Sequence, residues 1–144
     1  MKTAREKNTF SCSLYLVSFT GVVYGLLKYF YLVDTPYGIR PHQYQSFWQH
    51  FHILASPIAL FFIGYFWQSH IYPKMKTSLA TYKKTGWLMV VCLFPMILSG
   101  FVIQISILPK ARDIWMVVHL SSSTIFLLVF ILHQIRARLS SISD

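Results

Sequence analysis

The chain has 144 residues, of which 55% are apolar and only 12% are charged. This length predicts one domain spanning residues 1–144 and excludes a multidomain enzyme. The composition argues against a disordered chain and an ordinary soluble protein. The net charge of +9 does not indicate nucleic-acid binding, because the basic residues lie between long apolar runs and form no patch on a polar domain. We therefore expect a small multi-pass membrane protein.

Four stretches contain the roughly 20 apolar residues that a membrane span needs. They cover residues 10–33, 46–71, 86–108 and 114–135. A loop rich in turn-forming residues (34–41), a basic stretch (72–85) and a short connection (109–113) separate them. The pattern predicts an all-α integral membrane four-helix bundle.

The distribution of Lys and Arg predicts how this bundle is oriented. Most of these residues fall in the amino-terminal segment, the second connection and the carboxyl-terminal tail, which lie on one side of a four-span protein. They are Lys2, Arg5, Lys7, Lys74, Lys76, Lys83, Lys84, Arg136 and Arg138. The positive-inside rule then places both termini in the cytoplasm.

Histidines supply nearly all the ionisable groups of the predicted spans. The chain contains only four acidic residues, none clearly within a span, which excludes carboxylate proton relays and glycosidase-type carboxylate pairs and suggests no Ser-His-Asp set. Cys12 and Cys92 form no CxxC or CxxCH motif, which excludes a zinc ribbon and covalently attached haem. Ionisable groups inside membrane spans are costly and usually functional. The histidines are His42, His50, His52, His70, His119 and His133.

Four of these histidines follow helical spacing. His52 and His70 lie 18 residues apart on the second span, which is five α-helical turns. His119 and His133 lie 14 residues apart on the fourth, within about 40° of one face. The second and fourth spans run parallel, so each membrane surface receives one histidine from each. The 18-residue spacing is longer along the helix than the 14-residue spacing. A more tilted second span, or a kink at Pro57, would place the histidines of both spans at the same depths in the membrane.

Two facing imidazoles suit the axial positions of a haem iron. Zinc or copper would usually take a third or fourth ligand, and the spans offer no carboxylates. We therefore predict two bis-imidazole haem sites stacked across the membrane. His42 and His50 fit this pattern poorly, and we expect them in a loop or at the interface.

Small residues accompany the histidines, and two interpretations of them stay open. Gly86 and Gly100 are also 14 residues apart, and Gly21 and Gly25 form a small-xxx-small pair. Glycine lets a helix approach a flat macrocycle, but small residues also form ordinary membrane helix interfaces. The hydroxyl residues 121–124 either bond the second nitrogen of an imidazole or bond back to their own helix.

Taken together, these features resemble the four-helix core of b-type cytochromes. The motifs that carry the resemblance are His52-x4-Pro57-x6-Gly64-x2-Trp67-x2-His70, Ser99-Gly100-x3-Gln104 and His119-x13-His133. They are most similar to small bacterial proteins related to the cytochrome b subunits of bc complexes, formate dehydrogenases and hydrogenases. The likeness covers residues 46–135, and the first span by position only.

The resemblance implies non-covalent haem b. His52 and His119 would bind the outer haem iron, and His70 and His133 the inner one, with Gly86 and Gly100 beside the cofactor. The chain lacks the quinol-site loop motif of the bc-complex cytochrome b, so a complete quinol oxidase centre is not implied.

The function expected from these features is transmembrane electron transfer by a non-catalytic subunit in the bacterial cytoplasmic membrane, surrounded by membrane lipid. Its partners would be a quinone or membrane subunit and a periplasmic cytochrome or iron–sulfur protein, with no role for nucleic acid. One alternative is a haem-free accessory or assembly subunit of a larger membrane complex. Another is a transition-metal carrier, which the lack of acidic residues in the spans disfavours.

Overall fold

The structure is a computed structural model that describes residues 4–76 and 83–143. The described chain is mostly helical, which confirms the predicted helical class. It divides into two compact units, the first ending at His70 and the second beginning at Ile71. Each unit is built on a pair of long helices.

The first unit contains two helices and a β-hairpin. Helix α1 (Ala4–Tyr29) leads into strands β1 (Leu32–Thr35) and β2 (Gly38–Pro41), and helix α2 (Gln45–Phe66) continues into a π-helical turn (Trp67–Ile71). The prediction of a first span reaching residue 33 is therefore wrong at its end. Helix α1 stops at Tyr29, because the following apolar residues pair in the hairpin.

The sequence around the turn explains why the hairpin forms. Strands β1 and β2 pair antiparallel, with Thr35 opposite Gly38. The Thr35 hydroxyl donates a hydrogen bond to the Gly38 carbonyl at 2.7 Å and accepts one from the Tyr37 N–H at 3.3 Å. Gly38 has a φ of 107°, a conformation that only glycine adopts readily. The predicted turn-rich loop is thus an ordered β-hairpin.

Helices α1 and α2 pack antiparallel. Phe10 near the start of α1 stacks on Phe66 at the end of α2, with ring centroids 4.8 Å apart. Thr20, further along α1, contacts His52 near the start of α2. Small buried residues, Ala55 and Ala59, lie one helical turn apart on α2 and permit close approach of the two helices.

The second unit contains helices α3 (Tyr72–Lys76), α4 (Lys83–Ile105) and α5 (Pro109–Ser143). The helices differ from the predicted spans 86–108 and 114–135 at both ends, and α4 begins at Lys83 while α5 continues to Ser143. The third span ends at Ile105 instead of residue 108, and residues 109–113 begin α5 instead of forming a connection. Proline at the first helical position explains the early start, because its fixed φ suits a helix and its missing N–H would have no partner there. Residues 77–82 of the predicted basic connection lie outside the described residues.

Four helical stretches of the described chain are long and apolar enough to cross a membrane. They are Asn8–Tyr29, Gln45–Lys76, Lys83–Ile105 and Pro109–Ala137. Large apolar side chains on them are widely exposed; on α4 they follow helical spacing at Val91, Phe94, Leu98 and Phe101. An exposed apolar stripe of this kind fits contact with lipid.

The contact between Phe10 and Phe66 yields a stability prediction. Phe66 is 1% exposed, whereas Phe61 on the same helix is 67% exposed. We expect Phe66→Ala to lower the free energy of unfolding by about 3–5 kcal/mol, because it removes buried ring contacts and leaves a cavity. The matched Phe61→Ala should change it by about 0.5 kcal/mol or less. Unfolding in detergent, followed by circular dichroism, measures both; equal losses would contradict the packing described here.

Candidate histidine sites

His52 on α2 is held by the neighbouring helix α1. Its Nδ1 lies 3.1 Å from the Val17 carbonyl oxygen and 3.1 Å from Thr20 Oγ1. The Thr20 hydroxyl donates its own hydrogen to the same Val17 carbonyl at 2.9 Å. Three polar atoms therefore form a closed triangle between the two helices.

Glycine makes this close approach possible. A Cβ placed on Gly21 would lie 2.9 Å from His52 Cε1, which is closer than side chains tolerate. In an α-helix the N–H of residue 21 bonds the carbonyl of residue 17. The missing Cβ therefore uncovers the carbonyl that the imidazole reaches. A carbonyl oxygen has two lone pairs, so Val17 can keep its helical bond and accept from the ring as well.

His119 on α5 is held by α4 in the same manner. Its Nδ1 lies 2.9 Å from the Met96 carbonyl oxygen and 3.2 Å from Ser99 Oγ. The Ser99 hydroxyl donates to the Pro95 carbonyl at 2.5 Å and lies 3.1 Å from the Met96 carbonyl. A Cβ on Gly100 would lie 3.3 Å from His119 Cε1.

The two arrangements share one sequence rule. In each helix pair a hydroxyl residue is followed by glycine, and the carbonyl that meets the imidazole lies three residues before the hydroxyl. Thr20 and Gly21 follow this rule with Val17, and Ser99 and Gly100 follow it with Met96. We name these two arrangements the histidine cradles.

The cradles fix the protonation of the ring. A carbonyl oxygen only accepts hydrogen bonds, so the proton of each neutral imidazole lies on Nδ1. The lone pair of that tautomer lies on Nε2, the nitrogen that would bind a metal. Each cradle therefore places the lone pair of its neutral imidazole on Nε2.

A third histidine has a related but simpler contact. His133 Nδ1 lies 3.0 Å from Thr85 Oγ1 on α4. Thr85 precedes Gly86, so the hydroxyl–glycine dipeptide recurs, but no atom lies within 4 Å of a Cβ placed on Gly86. The predicted pair Gly86 and Gly100 thus differ, since only Gly100 contacts an imidazole.

His70 lies in the π-helical turn and is half-buried. Hydrogen bonds in a π-helix run from i to i+5, so each turn contains more residues than in an α-helix. The same-face placement of His52 and His70 assumed α-helical geometry throughout, and it does not apply to this turn. Their pairing with His119 and His133 stays a prediction.

The two other histidines, and two serines that follow His119, make no contact of the cradle kind. His50 is exposed and its Nδ1 lies 2.8 Å from the Ser46 carbonyl of its own helix, while His42 lies between β2 and α2. Ser122 and Ser123 donate to carbonyls of α5, at Val118 and His119. These two hydroxyls therefore follow the second of the two interpretations given for residues 121–124, bonding back to their own helix.

The partners Thr20, Ser99 and Thr85 were missed as imidazole contacts by sequence reasoning. Their common feature is a hydroxyl residue directly before a glycine, on or just before the first and third predicted spans, and it was present in the sequence. Only the antiparallel register of each helix pair shows which histidine each one meets.

The described residues include no group of three or more His, Cys, Asp or Glu side chains that could hold a metal ion. A haem iron does not require such a group, because the porphyrin supplies its equatorial ligands and the protein supplies the axial ones. No protein-family model, curated protein or solved structure matches this chain.

The first cradle gives a direct test of the glycine contact. We expect Gly21→Ala to lower the free energy of unfolding by about 1–3 kcal/mol, because the new methyl group displaces the His52 ring. Gly25→Ala is the matched control on the same helix, since no atom lies within 4 Å of its added Cβ. Thermal unfolding in detergent compares the two variants; a Gly21→Ala protein as stable as Gly25→Ala would contradict the contact.

Proposed function

We propose that this chain is a transmembrane electron-transfer protein that binds haem b through its histidines. The observation that carries the proposal is the repetition of the histidine cradle in both helix pairs. Each cradle puts the imidazole proton on Nδ1 and the lone pair on Nε2. Axial haem ligation uses a neutral imidazole nitrogen of this kind.

The residues present fit the chemistry of the group. Metal-bound histidines commonly donate the other ring N–H to a carbonyl, which orients the ring and raises its basicity. Val17 and Met96 supply such carbonyls to His52 and His119. The side chains of His52 and His119 are half-buried. When bound, haem would supply one-electron redox chemistry, and the chain would supply ligation and tuning of the potential.

The proposed ligand assignment covers two haem sites. The pairing is the one predicted from the sequence, in which His52 and His119 would ligate the outer haem and His70 and His133 the inner one. Support for the outer pair comes from both cradles, and support for the inner pair comes from the Thr85 contact of His133. The described residues outside the four long helical stretches form little more than a short hairpin, so we propose a relay between partners and not a complete enzyme.

The orientation and location belong to the same proposal. Clusters of Lys and Arg in the amino-terminal segment, the second connection and the tail favour a cytoplasmic side for both termini, in a bacterial inner membrane. The partners on the two faces would be a quinone or membrane subunit and a periplasmic redox protein.

The orientation has a direct test. A fluorescent protein that folds only in the cytoplasm, fused after Asp144, should be bright in a bacterial host. Alkaline phosphatase, which is active only in the periplasm, should be active when inserted at the Tyr37–Gly38 turn and inactive when fused after Asp144. The reverse pattern would overturn the proposed orientation.

Haem binding is tested by difference spectra of the purified protein. We expect a reduced-minus-oxidised spectrum of haem b, with about two haems per chain by pyridine haemochrome. His52→Ala and His119→Ala should each lose the outer haem. His50→Ala is the matched control and should retain full haem content, because His50 is exposed and bonded to its own helix.

The outcomes separate the candidate functions. No haem in protein purified from haem-replete cells would overturn the cytochrome proposal and favour an accessory membrane subunit. Loss of haem in His50→Ala equal to that in His52→Ala would overturn the ligand assignment.

A further inference from the structure

Two hydroxyl side chains stand out in the described part of the chain. Thr20 and Ser99 are both 0% exposed, which places them with Phe66 and Phe130 among its most deeply buried side chains. A buried hydroxyl is costly unless it is hydrogen-bonded. Both hydroxyls meet the Nδ1 atom of a histidine on the paired helix.

The hydrogen atoms at each cradle can be assigned. The Thr20 hydroxyl donates to the Val17 carbonyl, and the Ser99 hydroxyl donates to the Pro95 carbonyl. Each hydroxyl has thus used its only hydrogen, so its oxygen faces the imidazole as an acceptor. The Nδ1–H group therefore points at two acceptors, a carbonyl oxygen and a hydroxyl oxygen.

An ordinary buried serine behaves differently. Ser122 is 8% exposed and lies one turn from His119, but its hydroxyl donates only to carbonyls of its own helix, at Val118 and His119. Bonding back to the preceding turn is the usual state of helical serines. Thr20 and Ser99 make this bond too, and each also reaches across to the other helix.

We propose that Thr20 and Ser99 are matched positioning residues that set the orientation and donor strength of His52 and His119. A second acceptor on Nδ1–H restricts rotation of the ring and increases electron density at Nε2. As axial ligands, such imidazoles favour the ferric iron over the ferrous iron. Because Nδ1 faces a carbonyl oxygen and a hydroxyl oxygen in both helix pairs, removal of either hydroxyl has the same direction of effect.

The effect on haem rests on the proposed function, whereas the effect on the imidazole itself does not. Two readouts therefore test the inference. The first is the reduction potential of the haem-loaded protein. The second is the ¹⁵N NMR spectrum of the histidines in haem-free protein, which reports the tautomer and the hydrogen bond at Nδ1.

Thr20→Val and Ser99→Ala remove one hydroxyl each, and Ser122→Ala is the matched control. We expect the first two to shift the midpoint potential of the outer haem to more positive values, by up to about 59 mV, the equivalent of a tenfold change for one electron. Haem content should stay unchanged, because the carbonyl acceptors remain. Thr20→Ser, which keeps the hydroxyl, should restore the original potential, and Ser122→Ala should not alter it.

In haem-free protein we expect His52 and His119 in the Nδ1–H tautomer. Thr20→Val should move the His52 Nδ1 resonance and Ser99→Ala that of His119, whereas Ser122→Ala should move neither. If Thr20→Val fails to fold, Thr20→Ser and Ser99→Ala still test the positioning role of the two hydroxyls.

Failures of the two proposals are distinguishable. If the unsubstituted protein binds no haem, but Thr20→Val and Ser99→Ala move the histidine resonances as expected, the proposed function is overturned and the positioning role is kept. An Nε2–H tautomer in the unsubstituted protein, or equal shifts in Ser99→Ala and Ser122→Ala, would overturn the positioning role.

Discussion

The hydrogen bond from a histidine Nδ1–H to a main-chain carbonyl of the neighbouring helix is the constraint on which each helix pair depends. That carbonyl already belongs to the helix, so the imidazole reaches it only where the helix surface is uncovered. Glycine uncovers it, at Gly21 beside Val17 and at Gly100 beside Met96. The close approach of the two helices and the tautomer of the ring follow from the same contact.

The cradles also explain why fully buried hydroxyls are tolerated in these interfaces. In an apolar setting each buried polar atom needs a partner, and none of the described buried side-chain nitrogen and oxygen atoms lacks one. In both cradles the imidazole meets a carbonyl and a hydroxyl, and the hydroxyl donates to a carbonyl of its own helix, so each of these polar groups has a partner. Thr20 and Ser99 therefore fill buried positions between the helices and also contact a polar group of the paired helix. Ser122 differs, because its hydroxyl bonds only within its own helix.

Much of the fold was predictable from the sequence, because apolar runs of membrane-spanning length specify helices directly. The prediction was wrong where local chemistry overrode hydropathy. Leu32 and Val33 continue the apolar run of α1, but the turn at Gly38 pairs them in a strand. The apolar pattern of the sequence does not predict the π-helical turn at His70. The partners of His52 and His119 depend on the register between two helices, which periodicity within one helix does not specify.

Titration of haem-free protein with haemin in detergent tests the central claim most directly, since it counts sites and reports their ligands together. The account predicts saturation at about two haems per chain, with low-spin spectra typical of two imidazole ligands. The His52→Ala, His119→Ala double variant lacks both cradle imidazoles, and it should lose one of these equivalents. High-spin spectra, or the same stoichiometry in the double variant, would contradict the claim that the cradles prepare His52 and His119 as iron ligands.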